Sequence, residues 1–293
     1  MQKKIVIPFI QPVQNIQAGF LFVSDDYHIK NWSFDFSNQT IKSKGYNDCF
    51  CFTMVRHGKF LFDVSKTMYS MHTGHIIIEK ADFEFGLRPA SGICTIFNFS
   101  EGFYKQLLCD YNLRHSFFFS NKNLLSVLVQ SNPETEYLHY RILQAAPTAG
   151  KLEMDNLVFE LVNRVVQLIT NTEPNSPLDD ILLKYHLGTV EKAKAYMTEN
   201  FYRDIALKDI AASANVSMFH FGRIFKQITE FTPHQYLTGI RLKHAELLLK
   251  NSMAPVKEIC YSSGFSNAEY FSSTFKKKYR ISPVGFRLSN GIK

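Results

Sequence analysis

Short apolar runs separated by turn-forming residues fill the stretch from about residue 31 to residue 100. Aromatic and β-branched residues dominate these runs, and such residues favour the pleated, half-buried surface of a strand. Gly or Asp punctuates them at hairpin intervals, as at His57-Gly58 and Lys80-Ala81-Asp82. The pattern predicts an antiparallel β-sandwich or small barrel, with strands at residues 50–55, 60–64, 75–78, 83–87 and 93–99.

After residue 100 the apolar period lengthens to three or four residues, most clearly in residues 152–169. There the positions that share one helical face are Leu157, Leu161, Val165 and Leu168. Residues 171–177 read Asn-Thr-Glu-Pro-Asn-Ser-Pro, and this proline-containing run cannot continue a helix. We therefore expect a first domain with helices after the barrel at 1–170, a linker at 171–188 and an all-α domain at 189–290, which makes the chain a multidomain α+β protein.

The last third contains an internal repeat with a period of 50 residues, because residues 217–226 align with residues 267–276. Each copy has a short apolar helix, a tight turn and a second helix, at about 207–228 and 256–278, which is the order of a helix-turn-helix. In the second copy Gly264 permits a positive φ, and Ser266 with Glu269 is predicted to form a capping box.

Helical geometry divides the second helix of each copy into a core face and an outward face. In the first copy the predicted core positions are Phe221, Ile224, Phe225 and Ile228, and the outward ones are Phe219, Gly222, Arg223 and Lys226. Arg223 can bond guanine O6 and N7, Phe219 can meet a thymine methyl group, and Lys226 can hold a phosphate. A solvated helix face is the alternative, and it leaves an exposed Phe219 unexplained.

The second copy presents an outward face that is less suited to guanine. We expect the first helix to supply most direct base contacts, and the second to supply mainly phosphate contacts and shape recognition. A helix at residues 235–249 would fix the separation of the two, roughly 34 Å if they enter successive major grooves. The predicted DNA contacts are Ser217, Phe219, His220, Gly222, Arg223, Lys226, Asn267, Glu269, Ser272, Ser273, Lys276 and Lys277.

The distribution of charge separates the two halves of the chain. Residues 189–293 hold 16 Lys and Arg against 8 Asp and Glu, whereas the remainder holds 17 against 18. The net charge of +7 therefore comes entirely from the last third. A basic domain joined to a neutral one indicates a polyanion as partner of the basic domain, with nucleic acid as the leading candidate.

Cysteine usage and the N-terminal sequence bear on the compartment. The five cysteines, Cys49, Cys51, Cys94, Cys109 and Cys260, are odd in number and lack a CxxC pair, which favours a reducing environment. Buried apolar roles are the simple interpretation, and a redox or metal cluster of Cys49, Cys51 and Cys94 is the alternative. The first residues lack the long apolar segment of a signal peptide, and no apolar run is long enough to span a bilayer. We expect a cytoplasmic protein with no membrane partner.

The spaced residues of the last third resemble the AraC/XylS family of bacterial transcription regulators over about 100 of the 293 residues. The matching residues are Leu207, Ile210-Ala211, Ser217, His220-Phe221, Arg223, Phe225-Lys226, Thr232-Pro233, Tyr236-Leu237, Arg241, Ala245, Leu248-Leu249, Ile259-Cys260, Gly264-Phe265, Tyr270-Phe271, Phe275-Lys276, Ile281-Ser282-Pro283 and Phe286-Arg287. Two positions depart from the family pattern. Gly222 stands where the family usually has a polar base-contacting side chain, and Ser273 stands where the second helix often carries Arg.

The resemblance implies a sequence-specific, DNA-binding transcription regulator with a cupin-like N-terminal domain for ligand sensing and dimerisation. Its implied partners are double-stranded DNA, a small-molecule effector, a second copy of the chain and, for an activator, RNA polymerase. Trp32, Arg56 and Arg88 are the candidate effector contacts. The alternative is an N-terminal domain that only dimerises or binds a protein partner.

A cupin-like barrel can also hold a catalytic metal, so a metal-cupin enzyme fused to a DNA-binding domain is a further alternative. His57, His72 and His75 lie close together in sequence, but the H-x-H, Glu and later His of such a site do not follow, and Glu79 stands alone. We expect no metal, no cofactor and no enzymatic activity.

Overall fold

The computed structural model describes residues 16–35, 43–64, 67–88, 90–171 and 180–291. The chain divides into two compact units. The N-terminal unit comprises Met1–Ser131 and Ile142–Pro177, and the C-terminal unit comprises Asn132–Arg141 and Leu178–Lys293. An antiparallel sheet in the first and helices in the second confirm the predicted α+β architecture.

Within the described ranges, nine antiparallel strands form the sheet of the N-terminal unit. They are β1 Ile16–Val23, β2 Tyr27–Asp35, β3 Ser43–Asn47, β4 Cys51–Val64, β5 Thr67–His72, β6 His75–Glu79, β7 Phe83–Leu87, β8 Ser91–Phe99 and β9 Ser126–Gln130. The main path runs β1-β2-β8-β4-β6-β9, while β3 pairs with β7, and β5 and β7 pair with β4. Alternating positions of these strands bury a core that includes Phe34, Phe60, Phe62, Met71 and Ile77.

Strand β4 joins the two parts of this sheet. Its first half pairs with β6 and β8, and its second half pairs with β5 and β7. The pairing with β8 shifts between Val55 and His57, where Gly58 adopts φ 92°. A Cβ on Gly58 would lie 2.5 Å from the carbonyl oxygen of Ser91. The predicted hairpin turn at His57-Gly58 is therefore wrong, because these residues form an irregularity within one continuous strand.

The helices after the sheet are α1 Glu101–Asp110, α2 Phe117–Ser120, α3 Pro133–Ala145 and α4 Lys151–Asn171, with a 3-10 turn at Leu113–His115. Helix α4 confirms the helix predicted from residues 152–169, and Leu157, Leu161 and Val165 are buried. Strand β9 interrupts the stretch that we expected to be helical throughout. It pairs with β6, and its Val-Leu-Val centre is the β-favouring signal that the helical interpretation overlooked.

The C-terminal unit contains α5 Asp180–Asn200, α6 Leu207–Ser213, α7 Met218–Thr229, α8 Pro233–Asn251, α9 Val256–Ser262, α10 Ala268–Tyr279 and α11 Pro283–Ser289. Two apolar clusters hold it together. The first joins α5, α6, α7 and the start of α8, and the second joins the end of α8 to α9, α10 and α11. None of the described helices combines the length and apolar character needed to cross a membrane.

Two of the expected domain boundaries differ from the structure. Residues 172–179 of the predicted linker 171–188 lie outside the described residues, but α5 begins at Asp180, and Leu183 and Leu187 are buried in the C-terminal unit. These leucines continue upstream the apolar stripe of Val190, which explains why the helix starts early. Residues 132–141, expected in the first domain, pack with the C-terminal unit.

Candidate nucleic-acid interface

The two helix-turn-helix copies, α6–α7 and α9–α10, have turns of the same geometry. Asn215 and Gly264 occupy the left-handed region at φ 58° and 83°. The next amide donates to the carbonyl five positions earlier, at 3.1 Å in Val216 and 3.2 Å in Phe265. Asn and Gly are the residues that tolerate this conformation best. The turns are 49 positions apart and the αL caps Glu230 and Arg280 are 50 apart, so the predicted repeat corresponds to two equivalent structures.

Helix α7 separates sharply into a buried face and an exposed face. Phe221, Ile224, Phe225 and Ile228 are at most 1% exposed. On the other side Phe219 is 89% exposed, and Arg223 and Lys226 are also exposed. The division that helical geometry predicted for this helix is therefore confirmed. Ser217, the N-cap of α7, and His220 are exposed as well.

Gly222 lies on the outward side of α7 without a structural requirement for glycine. A Cβ built on it would meet nothing within 4 Å, and its φ is not positive. Glycine inside a helix costs about 0.5–1 kcal/mol of stability relative to alanine. The missing side chain therefore leaves space beside Phe219 and Arg223 where another backbone can approach closely.

Helix α10 places a polar face outward and buries Phe271 and Phe275. The predicted contacts Asn267, Glu269, Ser272, Ser273, Lys276 and Lys277 are all exposed. The predicted capping box of Ser266 and Glu269 is wrong: the N-cap is Asn267, whose Oδ1 accepts from the amides of Glu269 and Tyr270 at 2.7 and 2.9 Å. Asn267 supplies a carbonyl oxygen closer to these amides, so Glu269 is not needed as a cap.

Helix α8 anchors the second helix-turn-helix through buried polar groups. Arg241 Nε donates to the carbonyl oxygen of Phe201 at 2.8 Å, close to Gly264, where a Cβ would lie 2.1 Å from that same oxygen. Glu246, which is 2% exposed, accepts from Lys243 at 3.0 Å and from the Tyr279 hydroxyl at 2.9 Å. The Tyr279–Glu246 hydrogen bond holds α10 against α8, and Arg241 joins α8 to the residue that follows α5. The expected separation of about 34 Å between the two outward faces stays a prediction.

The first half of α3 adds a partly buried acidic side chain to the C-terminal unit. Glu136 pairs with Lys194 on α5 at 2.7 Å and accepts a short hydrogen bond from the Tyr236 hydroxyl on α8. The Lys194 ammonium also lies 5.6 Å from the centre of the Tyr236 ring. Burial, reinforced by the Glu136 charge, raises the pKa of Tyr236 well above its ordinary value, so its hydroxyl stays a donor.

Three other contacts join α3 to the same unit. Glu134 forms an ion pair with Lys278 at the end of α10, and the Tyr137 hydroxyl lies 2.6 Å from His244 Nδ1 on α8. Burial lowers the pKa of His244 to about 4, so this ring is neutral at pH 7. Pro133 packs so closely on Gly239 that a Cβ there would lie 2.8 Å away. Residues 132–141 therefore touch α5, α8 and α10 together, a role that sequence reasoning missed.

Some of the basic side chains in the last third of the chain form contacts inside the protein. Lys194 and Lys243 are buried in ion pairs, and Arg241 donates to backbone carbonyls. Arg223, Lys226, Lys276 and Lys277 remain exposed on the outward faces of α7 and α10. The charge offered to a polyanion is thus smaller than composition indicates, and part of it lies on the two helices that the repeat singles out.

The three candidate effector contacts lie in different environments. Trp32 lines a cavity of about 370 Å³ in the N-terminal unit, whereas Arg56 and Arg88 are not among its lining residues. Arg56 instead donates to Asn31 Oδ1 at 3.0 Å, and Arg88 is exposed. The cavity also contains Asn98 and Glu79, which the sequence analysis did not connect to it. Each is a polar residue at an inward position of an otherwise apolar strand, and this sequence signal could have identified them.

The histidines considered for a metal site are arranged differently. The rings of His72 and His75 lie with their centroids 3.7 Å apart and their planes tilted by 36°, and His72 Nδ1 lies 2.9 Å from the carbonyl oxygen of Thr73. Throughout the ranges that the structure describes, no group of three or more His, Cys, Asp or Glu side chains is placed to hold a metal ion.

Known proteins match the region that carries the two helix-turn-helix copies. The family model described as "Helix-turn-helix domain" matches residues 210–289. The HTH-type transcriptional activator RhaS of Klebsiella pneumoniae (strain 342) is 32% identical over 93 residues, 32% of this chain and 34% of RhaS. The lactose operon transcription activator of Staphylococcus xylosus is 30% identical over 98 residues, 33% of this chain and 35% of that protein.

The similarity therefore spans about a third of the length of these relatives. Among solved structures, the C-terminal domain of AraT, a response regulator from Geobacillus stearothermophilus, is 30% identical with a TM-score of 0.34, covering 39% of this chain and 88% of that one. The residues 210–289 that match the family model lie within the C-terminal unit. They coincide with the two equivalent turns, the buried faces of α7 and α10 and the outward basic residues. Residues 210–289 of this chain therefore match the helix-turn-helix domain, and the chain is similar over about a third of its length to two transcription activators.

Proposed function

We propose that this protein is a transcription regulator that binds specific sequences of double-stranded DNA through α7 and α10. The observation that carries the proposal is the outward face of α7, where an 89% exposed Phe219 stands beside Gly222, Arg223 and Lys226. Exposing such a ring to water is unfavourable unless a partner covers it, and a thymine methyl group is a suitable partner.

The two recognition helices have different roles in this proposal. Arg223 and Phe219 read bases in one major groove, with Ser217, His220 and Lys226 around them. On α10, Lys276 and Lys277 hold phosphates, and Ser272 and Ser273 fit the shape of the groove. The Ser273 hydroxyl already donates to the Tyr270 carbonyl at 3.0 Å, which leaves it little freedom to discriminate bases. In the same proposal Asn267 contacts the DNA backbone, and Glu269 accepts from a cytosine amino group.

The N-terminal unit is the regulatory part of the proposal. Its cavity receives a small-molecule effector, and the unit associates with a second copy of the chain. For an activator, RNA polymerase is a further partner, and the cytoplasm is where all of these partners meet. No catalysis is assigned to the protein.

An N-terminal unit that serves only for association is the second candidate, supported by Phe117 and Leu152, each 76% exposed. The two candidates differ in a melting experiment: an effector raises the melting temperature with its concentration by mass action, whereas association makes that temperature depend on protein concentration.

Selection of bound DNA from a random library, at one stated salt concentration, tests the DNA-binding proposal. We expect a defined motif, and Arg223→Ala should reduce discrimination at one base pair by about 1–3 kcal/mol. Ser273→Ala should change discrimination less. Lys105→Ala, an exposed charge removal in the N-terminal unit, is the control and should leave the motif unchanged. No enriched motif, or equal losses for Arg223→Ala and Ser273→Ala, would refute the proposal as stated.

A further inference from the structure

Three neighbouring strands place a row of polar side chains on one wall of the cavity. Asn98 on β8 pairs with Cys51 on β4, and Cys51 pairs with Glu79 on β6. Residues directly opposite one another in a sheet point to the same face, and neighbouring strands are about 4.8 Å apart. All three side chains line the cavity, and Asn98, Cys51 and Glu79 are 7%, 3% and 5% exposed.

This row contains more hydrogen-bond acceptors than the surrounding protein satisfies. Asn98 Nδ2 donates to Cys49 Sγ at 2.8 Å, and its Oδ1 has no hydrogen-bond partner among the described residues. Glu79 Oε2 receives only long contacts of 3.5 Å from the Cys51 thiol and the Thr53 hydroxyl. Buried acceptors are nearly always paired in native proteins, so a group that donates several hydrogen bonds fits here.

The remaining wall is largely aromatic. Trp32, Phe60, Phe62 and Phe85 line the cavity together with aliphatic side chains. Trp32 Nε1 has no partner among the described residues either, and it can donate to an acceptor elsewhere on a ligand. The volume of about 370 Å³ is at the lower end of the range for small-molecule sites.

We propose that this cavity binds an organic amine, whose ammonium group donates to Asn98 Oδ1 and the Glu79 carboxylate while its apolar body packs against the aromatic wall. The inference rests on the effector role proposed above and names the chemical class of that effector. An ammonium group has three donors and no acceptor, which matches the row. A carboxylate would bring two more acceptors against it. The other charged groups of the lining, Lys30 and Asp48, have opposite signs.

A matched series of probes tests the ligand class on the full chain. The probes are 2-phenylethylamine, 2-phenylethanol and 3-phenylpropionate, which share a phenyl body and differ in the charge of the end group. Isothermal titration at pH 8, where Glu79 is largely ionised because burial raises its pKa only to about 7, should give the tightest binding for the amine. We expect at least about tenfold weaker binding of the alcohol, since charge-assisted hydrogen bonds are stronger. No saturable amine binding, or tighter binding of the alcohol or the carboxylate, would overturn the proposal.

Two variants locate the ammonium group. Glu79→Gln conserves size and should remove the preference for the amine while changing alcohol binding by less than about threefold. Asn98→Leu removes the other acceptor and should weaken the amine selectively, which provides an independent test if Glu79→Gln does not fold. Phe62→Leu, on the aromatic wall, is the control and should weaken amine and alcohol alike. An unchanged preference for the amine in both polar variants would overturn the assignment.

DNA binding of the same samples, without probe, separates this inference from the proposed function. Failure of amine binding with intact sequence-specific DNA binding would refute only the ligand class. Loss of sequence-specific DNA binding in the unmodified protein would refute the proposed regulator itself.

Discussion

Replacement of Glu136 by alanine should destabilise the C-terminal unit selectively. The substitution removes the carboxylate that pairs with Lys194 at 2.7 Å and accepts from the Tyr236 hydroxyl. Lys194 is 7% exposed and Glu136 18%, so the ammonium group would lose its partner in a largely dry environment. Breaking a fully buried pair from one side costs about 3–5 kcal/mol, and the partial exposure of Glu136 reduces our expectation to about 2–4 kcal/mol.

Urea unfolding of the full chain with two probes measures this effect. Trp32, the single tryptophan, lies in the sheet of the N-terminal unit, whereas far-UV circular dichroism reports mainly the helices. In Glu136→Ala the helical transition should move by about 1–2 M to lower urea, for a slope of about 1–3 kcal/mol/M. The Trp32 transition should stay in place.

The exposed pair of Glu101 and Lys105 supplies the matched control. Its side chains are 80% and 68% exposed at a separation of 2.6 Å, so Glu101→Ala should leave the urea midpoints almost unchanged. Glu136→Gln retains a hydrogen-bond acceptor and should fall between the two. A Glu136→Ala shift no larger than that of Glu101→Ala, or an equal shift of the Trp32 transition, would refute the reasoning.

Three further results are expected. Gly264→Ala should destabilise the C-terminal unit by more than about 2 kcal/mol, since φ is 83° and the new Cβ would lie 2.1 Å from the Phe201 carbonyl oxygen; unaltered urea unfolding would contradict this. Gly222→Ala should stabilise α7 by about 0.5–1 kcal/mol while weakening DNA binding, and tighter binding in a fluorescence titration would show that no close approach occurs there. Burial raises the pKa of Glu79 from 4.5 to about 7, so the folded state favours its protonated form and the contribution of Glu79 to the free energy of unfolding should fall between about pH 4.5 and 7 by up to about 3 kcal/mol. Burial lowers the pKa of His28, in the same unit, to about 4, so the contribution of His28 rises over much of that interval. The neighbouring ionisable groups, Cys51, Cys94 and Tyr69, stay neutral in that interval. The difference in unfolding free energy between the unmodified protein and Glu79→Gln, followed by Trp32 fluorescence, isolates the Glu79 contribution, and a difference that does not change with pH would disprove it.

The outward and inward faces of α7 could be predicted because a single helix with a strong apolar stripe encodes its own orientation. Phe221, Ile224 and Phe225 are spaced so that no other placement buries all three. The equivalent turns at Asn215 and Gly264 could be predicted as well, since the repeat gives two independent views of one local structure.

Features that depend on residues far apart in the chain could not be predicted from the sequence. In the sequence, His57-Gly58 has the composition of a hairpin turn. Only the pairing of β4 with β8 and β5 makes the strand continue through these residues. Glu136 is an ordinary acidic residue near a helix start until Lys194 and Tyr236 meet it, 58 and 100 positions away. The cavity wall combines residues from β8, β4 and β6, and no local pattern predicts that alignment.

Helix α3 contributes residues to both units, and this affects how the DNA-binding part can be isolated. A fragment cut at the proline-containing segment, beginning near residue 178, would omit Tyr137, which is 1% exposed within the core of the C-terminal unit. Such a truncated fragment would expose the apolar residues that Tyr137 normally covers, and it should be poorly soluble. A synthetic peptide covering residues 131–145, added in trans, should bind to the exposed apolar residues and restore solubility. The DNA-binding part would then behave as a split protein that reassembles from two pieces.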